Sequence, residues 1–450
     1  MLALERGELP MRRRLASAIA TVLWLAGCSA TFDFAAPPSE EQLYASLYPY
    51  FAEFCAVSQI RKKPGFGADT SGGPGGHSVL YLNGVCRDRG AGYPTVALCA
   101  DDGSVASHGV GLSVNAHFKN ANWIATDGPD FFFHGDLSPD ERLTRATYDR
   151  TQAKAEQMGL LDGIVFHPEV FDDMPPGGDR RDYMYEVSVA TDYAIAFGRD
   201  RYCARVPMTR DQMAKIVTYL NGVNAIYKDG SKDFVWNVLQ NNCTHLAHNA
   251  LATAGLWNDW ETDQFFLFAA FDFPVPKNEF VNAMRRANDM DITDLRAVYR
   301  DSAARNSLIA NDRLPAEAGV LAEAEPVMHN NDIYDTNLEL IFYDQPLLGP
   351  YQRRFRAIFS EPRYTDIEAN LRYFASLYQR IGAERQPLSH YLTMPSPEWR
   401  EGFARFYARF YDHIDHEAAE VSARLAALSS VPSTIPISAV NDRGAHPPSN

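Results

Sequence analysis

Residues 239–255 read LQNNCTHLAHNALATAG. One cysteine follows two asparagines and opens a run of small and apolar residues that contains two histidines and ends at Gly255. Asn242 is a good helix N-cap, and Gly255 is a natural stop, so the stretch predicts a helix with Cys243 at its first position. Each residue of a helix turns the side chain by ~100°, so His245 and His248 point away from Cys243. A tetrahedral metal site needs convergent ligands, and no metal is expected here. The two histidines are expected to be packing or surface residues. The helix start itself suits a reactive thiol. Unpaired backbone N–H groups and the helix dipole favour the thiolate there, and the same N–H groups can donate to a developing oxyanion. Such a nucleophile needs a histidine base and a third group to orient it.

Upstream lies a β-rich region. HSVLYLNGVC from residue 77, TVALCA from 95, HGVGLSVNAHF from 108 and NWIAT from 122 are short runs rich in Val, Leu and aromatics, separated by turn residues. YMYEVSVA from 183, DYAIAF from 192 and YCARVPM from 202 read as further strands. Helices are expected near residues 40–56, at 138–158 with Ser138, Pro139 and Glu141 as its cap, and from 209, where Thr209 and Gln212 form a capping box. His77 opens its strand directly after a Gly-rich loop, where it is well placed to face a helix N-terminus.

The last third changes character. Ile367, Leu371, Phe374, Tyr378 and Ile381 fall on one helical face, and Trp399, Phe403, Phe406, Phe410, Ile414, Val421 and Leu425 on another. The expected architecture is α+β: a β-rich domain packed with helices over 40–275, a mainly helical region over 276–440, and a disordered tail at 441–450. The formal net charge of −15 offers no basic stripe for phosphates, so no nucleic-acid partner is expected.

At the other end, Arg12, Arg13 and Arg14 precede the apolar run LASAIATVLWLAGC. A basic region followed by a short apolar one is a secretory signal rather than a spanning helix. Residues 25–28, LAGC, resemble a bacterial lipobox. That resemblance implies a signal peptide over 1–27, lipidation of Cys28 and a tether over 28–39. Ser29 in the next position implies outer-membrane sorting, with the protein facing the periplasm. Met11 just before the arginines marks an alternative start. Of the six cysteines, Cys28 and Cys243 have these separate readings. The other four, Cys55, Cys86, Cys99 and Cys203, allow three pairings, and export permits disulfides. Cys86 and Cys99 flank the turn RDRGAGYP and could close a hairpin-like loop, which would leave Cys55 for Cys203, although sequence alone does not fix the connectivity.

Four segments in order, Gly76–His77, SVNAHF at 113–118, GRDRYCARVPMTRDQ at 198–212 and FVWNVLQNNC at 234–243, resemble the circularly permuted papain-like superfamily. This is the NlpC-type fold that includes lecithin retinol acyltransferase. The likeness is closest to a bacterial family of exported proteins labelled a domain of unknown function. It covers roughly residues 70–255 and departs in insertions such as 85–107. The resemblance implies an antiparallel sheet packed with helices and a Cys–His–polar triad without a cofactor. By position, Cys243 would be nucleophile, His77 base and Asn115 the orienting group, with His117 and His108 as rivals for that third place. The function expected is a lipid-anchored cysteine hydrolase or acyltransferase. Peptidoglycan peptides, lipoproteins and membrane lipids are within its reach. Two rivals stand: a non-catalytic envelope lipoprotein that uses the fold as a binding or structural module, and a Cys243 consumed in a disulfide.

Overall fold

The computed structural model describes residues 40–68, 75–100, 108–262, 274–344, 349–392 and 396–430. The signal segment, Cys28, the tether and the tail lie outside these residues. No helix among the described residues is long and apolar enough to cross a membrane.

The chain is α+β, built on one six-stranded antiparallel sheet of order β6-β5-β2-β1-β7-β8. It begins with α1 (Glu40–Leu47), β1 (Phe51–Val57), β2 (His77–Asn83), β3 (Val85–Arg87), β4 (Val96–Leu98), β5 (Gly109–Val114) and β6 (Trp123–Asp127). Next come α2 (Pro129–His134), α3 (Arg145–Gln157), α4 (Arg180–Ser188), β7 (Arg201–Pro207), α5 (Arg210–Ala225) and α6 (Cys243–Thr253). The remainder is α7 (Pro276–Asp289), α8 (Leu295–Arg300), α9 (Ser302–Asn311), β8 (Leu321–Glu325), α10 (Tyr351–Ser360), α11 (Ile367–Ala383) and α12 (Pro397–Ser430). Strands β3 and β4 form a separate two-stranded ribbon.

The period of two sends alternate side chains to opposite faces of the sheet. Ala52, Phe54, Leu80, Leu82, Val110 and Leu112 face one core, which α5, α6 and α7 cover with Ile216, Leu246, Ala247, Phe280 and Met284. Phe51, Cys55, Val79, Tyr81 and Cys203 face a second core, filled by Leu371, Phe374, Phe403, Phe406 and Phe410 of the C-terminal helices. Every strand from β1 to β6 except the ribbon is buried nearly throughout because both faces are covered.

Several sequence expectations change. The run 40–56 is not one helix: it breaks after Leu47, and Phe51–Val57 becomes the strand β1 between β2 and β7. Its alternating partners on both faces outweigh helix propensity. Ser138 and Glu141 close a turn with a positive φ at Asp140, and the helix starts at Arg145, capped by Thr144 and Thr147. YMYEVSVA is the end of α4 and not a strand, because the Asp179 side chain accepts from the N–H groups of Arg181 and Asp182 and starts a helix. DYAIAF forms turns. The boundary drawn at 275 divides nothing: residues 40–432 cluster as one compact unit, and β8 from the helical region completes the sheet by pairing with β7.

Local signals did hold at α5, with the Thr209–Gln212 capping box, and at α11 and α12, whose apolar stripes are buried. Disulfides join Cys86 to Cys99 across the ribbon and Cys55 to Cys203. Cys55 and Cys203 are direct partners across β1 and β7.

Burial sets a pH dependence. It lowers His413 and His245 to about 4 and His77 to about 3, so all three stay neutral in the fold. As pH falls below their ordinary value of about 6.5, the unfolded chain takes up protons that the fold refuses, and stability is lost down towards pH 4. Glu53 and Asp192 act oppositely, since burial raises each to about 6 and the fold accepts their protons first as pH falls. His413→Gln, at a position in the second core, is expected to flatten the urea midpoint between pH 6.5 and 4.5. An unchanged slope contradicts the assignment.

Candidate functional site

Cys243 is the one free cysteine among the described residues, and it is buried. It occupies the first position of α6, as its sequence predicts. The Asn242 side chain accepts from the N–H groups of Thr244 and His245, which fixes the helix start. The same side chain donates to the Val238 carbonyl at 2.7 Å, so cap and preceding loop hold each other. With two of its amides capped, α6 still directs the positive end of its dipole at the thiol.

Neither neighbouring histidine bonds Cys243. His245 Nδ1 bonds back to Asn242 Oδ1, and its ring meets the edge of Trp260. His248 is stacked between Trp257 and Trp260 and bonded to Glu279 at 2.5 Å. The single group with metal-ligand spacing among the described residues is Glu53, Cys55 and Cys203. Both of its sulfurs are spent in a disulfide.

His77 is buried at the first position of β2, and α6 packs on that strand. The contact runs through its neighbour: Ser78 Oγ meets Thr244 Oγ1 at 3.1 Å. Alternation along β2 therefore sends the His77 side chain to the opposite face, with Val79 and Tyr81. Its Nε2 lies 3.0 Å from Ser113 Oγ. Ser113 gives its one proton to the Thr191 carbonyl at 2.8 Å, so it accepts from His77 Nε2–H. The neutral ring then carries its lone pair on Nδ1. Burial first, and the Arg199 charge second, lower His77 to about 3, with the Thr191 carbonyl acting the other way. His77 and Cys243 share no hydrogen bond. Gly76 before it has φ of +76°, and a Cβ there would sit 2.4 Å from the Val57 carbonyl, so glycine is required at this approach.

Asn115 is not the group that orients His77. Its amide donates to Asp192 Oδ2 at 2.8 Å, and its Oδ1 accepts the His117 N–H at 3.0 Å. Ser113, two residues earlier on the same strand face, holds the ring instead. His117 packs on Phe166 and His108 is exposed, so neither fills that place.

Two further groups complete the surroundings. Asp192 is buried and raised to about 6, by burial first, with the Asn115 amide opposing. Arg199 is only 2% exposed, and its Nε and Nη1 have no hydrogen-bond partner. Burial lowers it to about 10, so it stays charged at neutral pH, and it lies in the electrostatic range of Tyr334, Cys243 and Asp192. The sequence reading missed Ser113, Asp192 and Arg199. The one available signal was two charges, at 192 and 199, bounding the apolar run YAIAFG. No family model matches the chain, and neither a curated protein nor a solved structure shows significant similarity to it.

Proposed function

We propose that the protein is a thiol hydrolase or acyltransferase with Cys243 as nucleophile, carried to the envelope by a lipid on Cys28. The observation that carries this reading is a free cysteine at the first position of a helix capped by Asn242. A thiolate there adds to an amide or ester carbonyl, the Cys243 N–H, the one first-turn amide of α6 not already bonded, and the helix dipole receive the oxyanion, and the leaving group departs with a proton. The acyl group then passes from sulfur to water or an amine. His77 is the base in this reading and Nδ1 the nitrogen that serves, because Nε2–H is held by Ser113. Since the two side chains start from opposite faces, the ring must turn around the open end of β2 to reach the thiol. The permuted papain-like likeness and the motif at residues 25–28 support the reading from the sequence side.

One observation favours the non-catalytic alternative. Cys243 has no base in contact and is only 9% exposed, which suits a module that kept the fold and lost the chemistry.

The two separate by alkylation of the folded, unreduced protein with iodoacetamide, mapped by mass spectrometry across pH. An activated thiol at Cys243 reacts at pH 6.5 at least about tenfold faster than a thiol of ordinary pKa near 8.5. His77→Ala is expected to slow it and move the profile. A Cys243 that reacts as an ordinary thiol, with or without His77, rules the catalytic reading out. Cys28→Ser is expected to release the chain from the membrane fraction.

A further inference from the structure

Arg199 has an unusual place for a cation. Among the described residues it forms no ion pair with a carboxylate, and it is almost wholly removed from water. A buried guanidinium without a hydrogen-bonded partner is costly, and proteins pair such groups. Elsewhere in this chain the rule is kept. Arg205 and Arg201, also buried, bond Glu323 and Glu325 at 2.7 and 2.6 Å. Arg199 has Asp192 within its field, yet Asp192 bonds Asn115 rather than the guanidinium.

The location of the unpaired donors gives them meaning. Arg199 stands two residues before β7, at the end of the sheet where Val57 closes β1 and His77 opens β2. At that end of the sheet Ser78, next to His77, meets Thr244, next to Cys243, and the Arg199 charge acts on both groups. The ring of His77 is neutral with its Nε2–H committed, so it does not compete for an anion. A Cβ at Gly198 would lie 2.3 Å from Tyr334, so the backbone beside Arg199 is packed tightly.

We infer that Arg199 binds a carboxylate of the substrate beside Cys243, so that the acyl group offered to the thiol belongs to a molecule bearing a free carboxylate near the bond to be broken. A guanidinium N–H left without an acceptor donates a charge-assisted hydrogen bond to a carboxylate oxygen. This narrows the substrate class and rests on the thiol-enzyme reading above. A neutral lipid ester has no group to satisfy Arg199, whereas a peptide with a free carboxyl terminus or an acidic side chain does.

The test compares two alkylating agents of nearly the same size, iodoacetate and iodoacetamide. In each case the Cys243 thiolate displaces iodide: the S–C bond forms, the C–I bond breaks and iodide leaves. Only iodoacetate carries a carboxylate. The ratio of its rate to that of iodoacetamide at Cys243 is expected to exceed the ratio for β-mercaptoethanol at the same pH by at least about tenfold. Arg199→Gln is expected to return it to the simple-thiol value, and Arg199→Lys to keep part of it. In case Arg199→Gln fails to fold, the unaltered chain gives its own answer: acetate should slow iodoacetamide saturably, and acetamide should not. A ratio equal to that of the free thiol, no protection by acetate, or a Cys243 closed to both reagents overturns the inference. Failure of the thiol-enzyme reading is distinct, because it appears as an ordinary pH profile with iodoacetamide alone, whatever the ratio.

Discussion

Cys55→Ala/Cys203→Ala, which removes the bridge without leaving a free thiol, is expected to lower unfolding stability by about 5 kcal/mol. The bridge spans 148 residues, and chain-entropy cost grows with the logarithm of loop length. It joins β1 to β7, two neighbouring interior strands of the sheet, with both residues fully buried. The Cys86–Cys99 bridge spans 13 residues and staples a peripheral ribbon, so Cys86→Ala/Cys99→Ala is expected to cost about 3 kcal/mol or less. Urea unfolding of both double variants under non-reducing conditions measures the difference. Equal losses, or a larger loss at the ribbon, would show that β1 and β7 hold together without their link.

Arg205→Ala is expected to destabilise the fold by about 3–5 kcal/mol at pH 8. Glu53 lies on β1 with 2% exposure, and Arg205 Nη2 approaches it at 3.4 Å while bonding Glu323 at 2.7 Å. Loss of the guanidinium leaves the Glu53 carboxylate buried without compensation. It also removes a cation from over the rings of Tyr44 and Phe51. Burial already raises Glu53 to about 6, and without Arg205 it rises further. A carboxyl raised in the fold contributes stability in its protonated form, which is lost as pH rises through the folded value. The penalty should therefore shrink on acidification from pH 8 to pH 5. Glu53→Gln combined with Arg205→Met should recover much of the loss, since the pair is then replaced by groups that carry no charge. A penalty independent of pH, or a double variant no better than the single one, would place the cost in packing rather than in the buried charge.

Much of the helical part of the molecule was legible in the sequence. The start of α6 at Cys243, the Thr209–Gln212 box of α5 and the stripes of α11 and α12 were all expected, and all are present. The sequence misread elements whose state depends on distant partners. Residues 51–57 have no strand signal stronger than their helical one, and they are extended because β2 and β7 flank them. Residues 183–190 alternate like a strand, yet a single aspartate before them starts a helix. β8 is LAEAE, whose alanines and glutamates alternate but carry little strand propensity, and it exists as an edge because β7 offers it hydrogen bonds.

The candidate site divides in the same way. By itself the sequence determined where the thiol sits on its helix, because a cap acts over a few adjacent residues. Only the tertiary structure decided that Ser78 rather than His77 faces α6, that Ser113 rather than Asn115 holds the imidazole, and that Arg199 is buried beside them without a partner. Those outcomes follow from strand register and from which face of a strand each neighbouring element covers. A shift of one residue in register would exchange every such face, and nothing within the short segments around His77 or Cys243 fixes it.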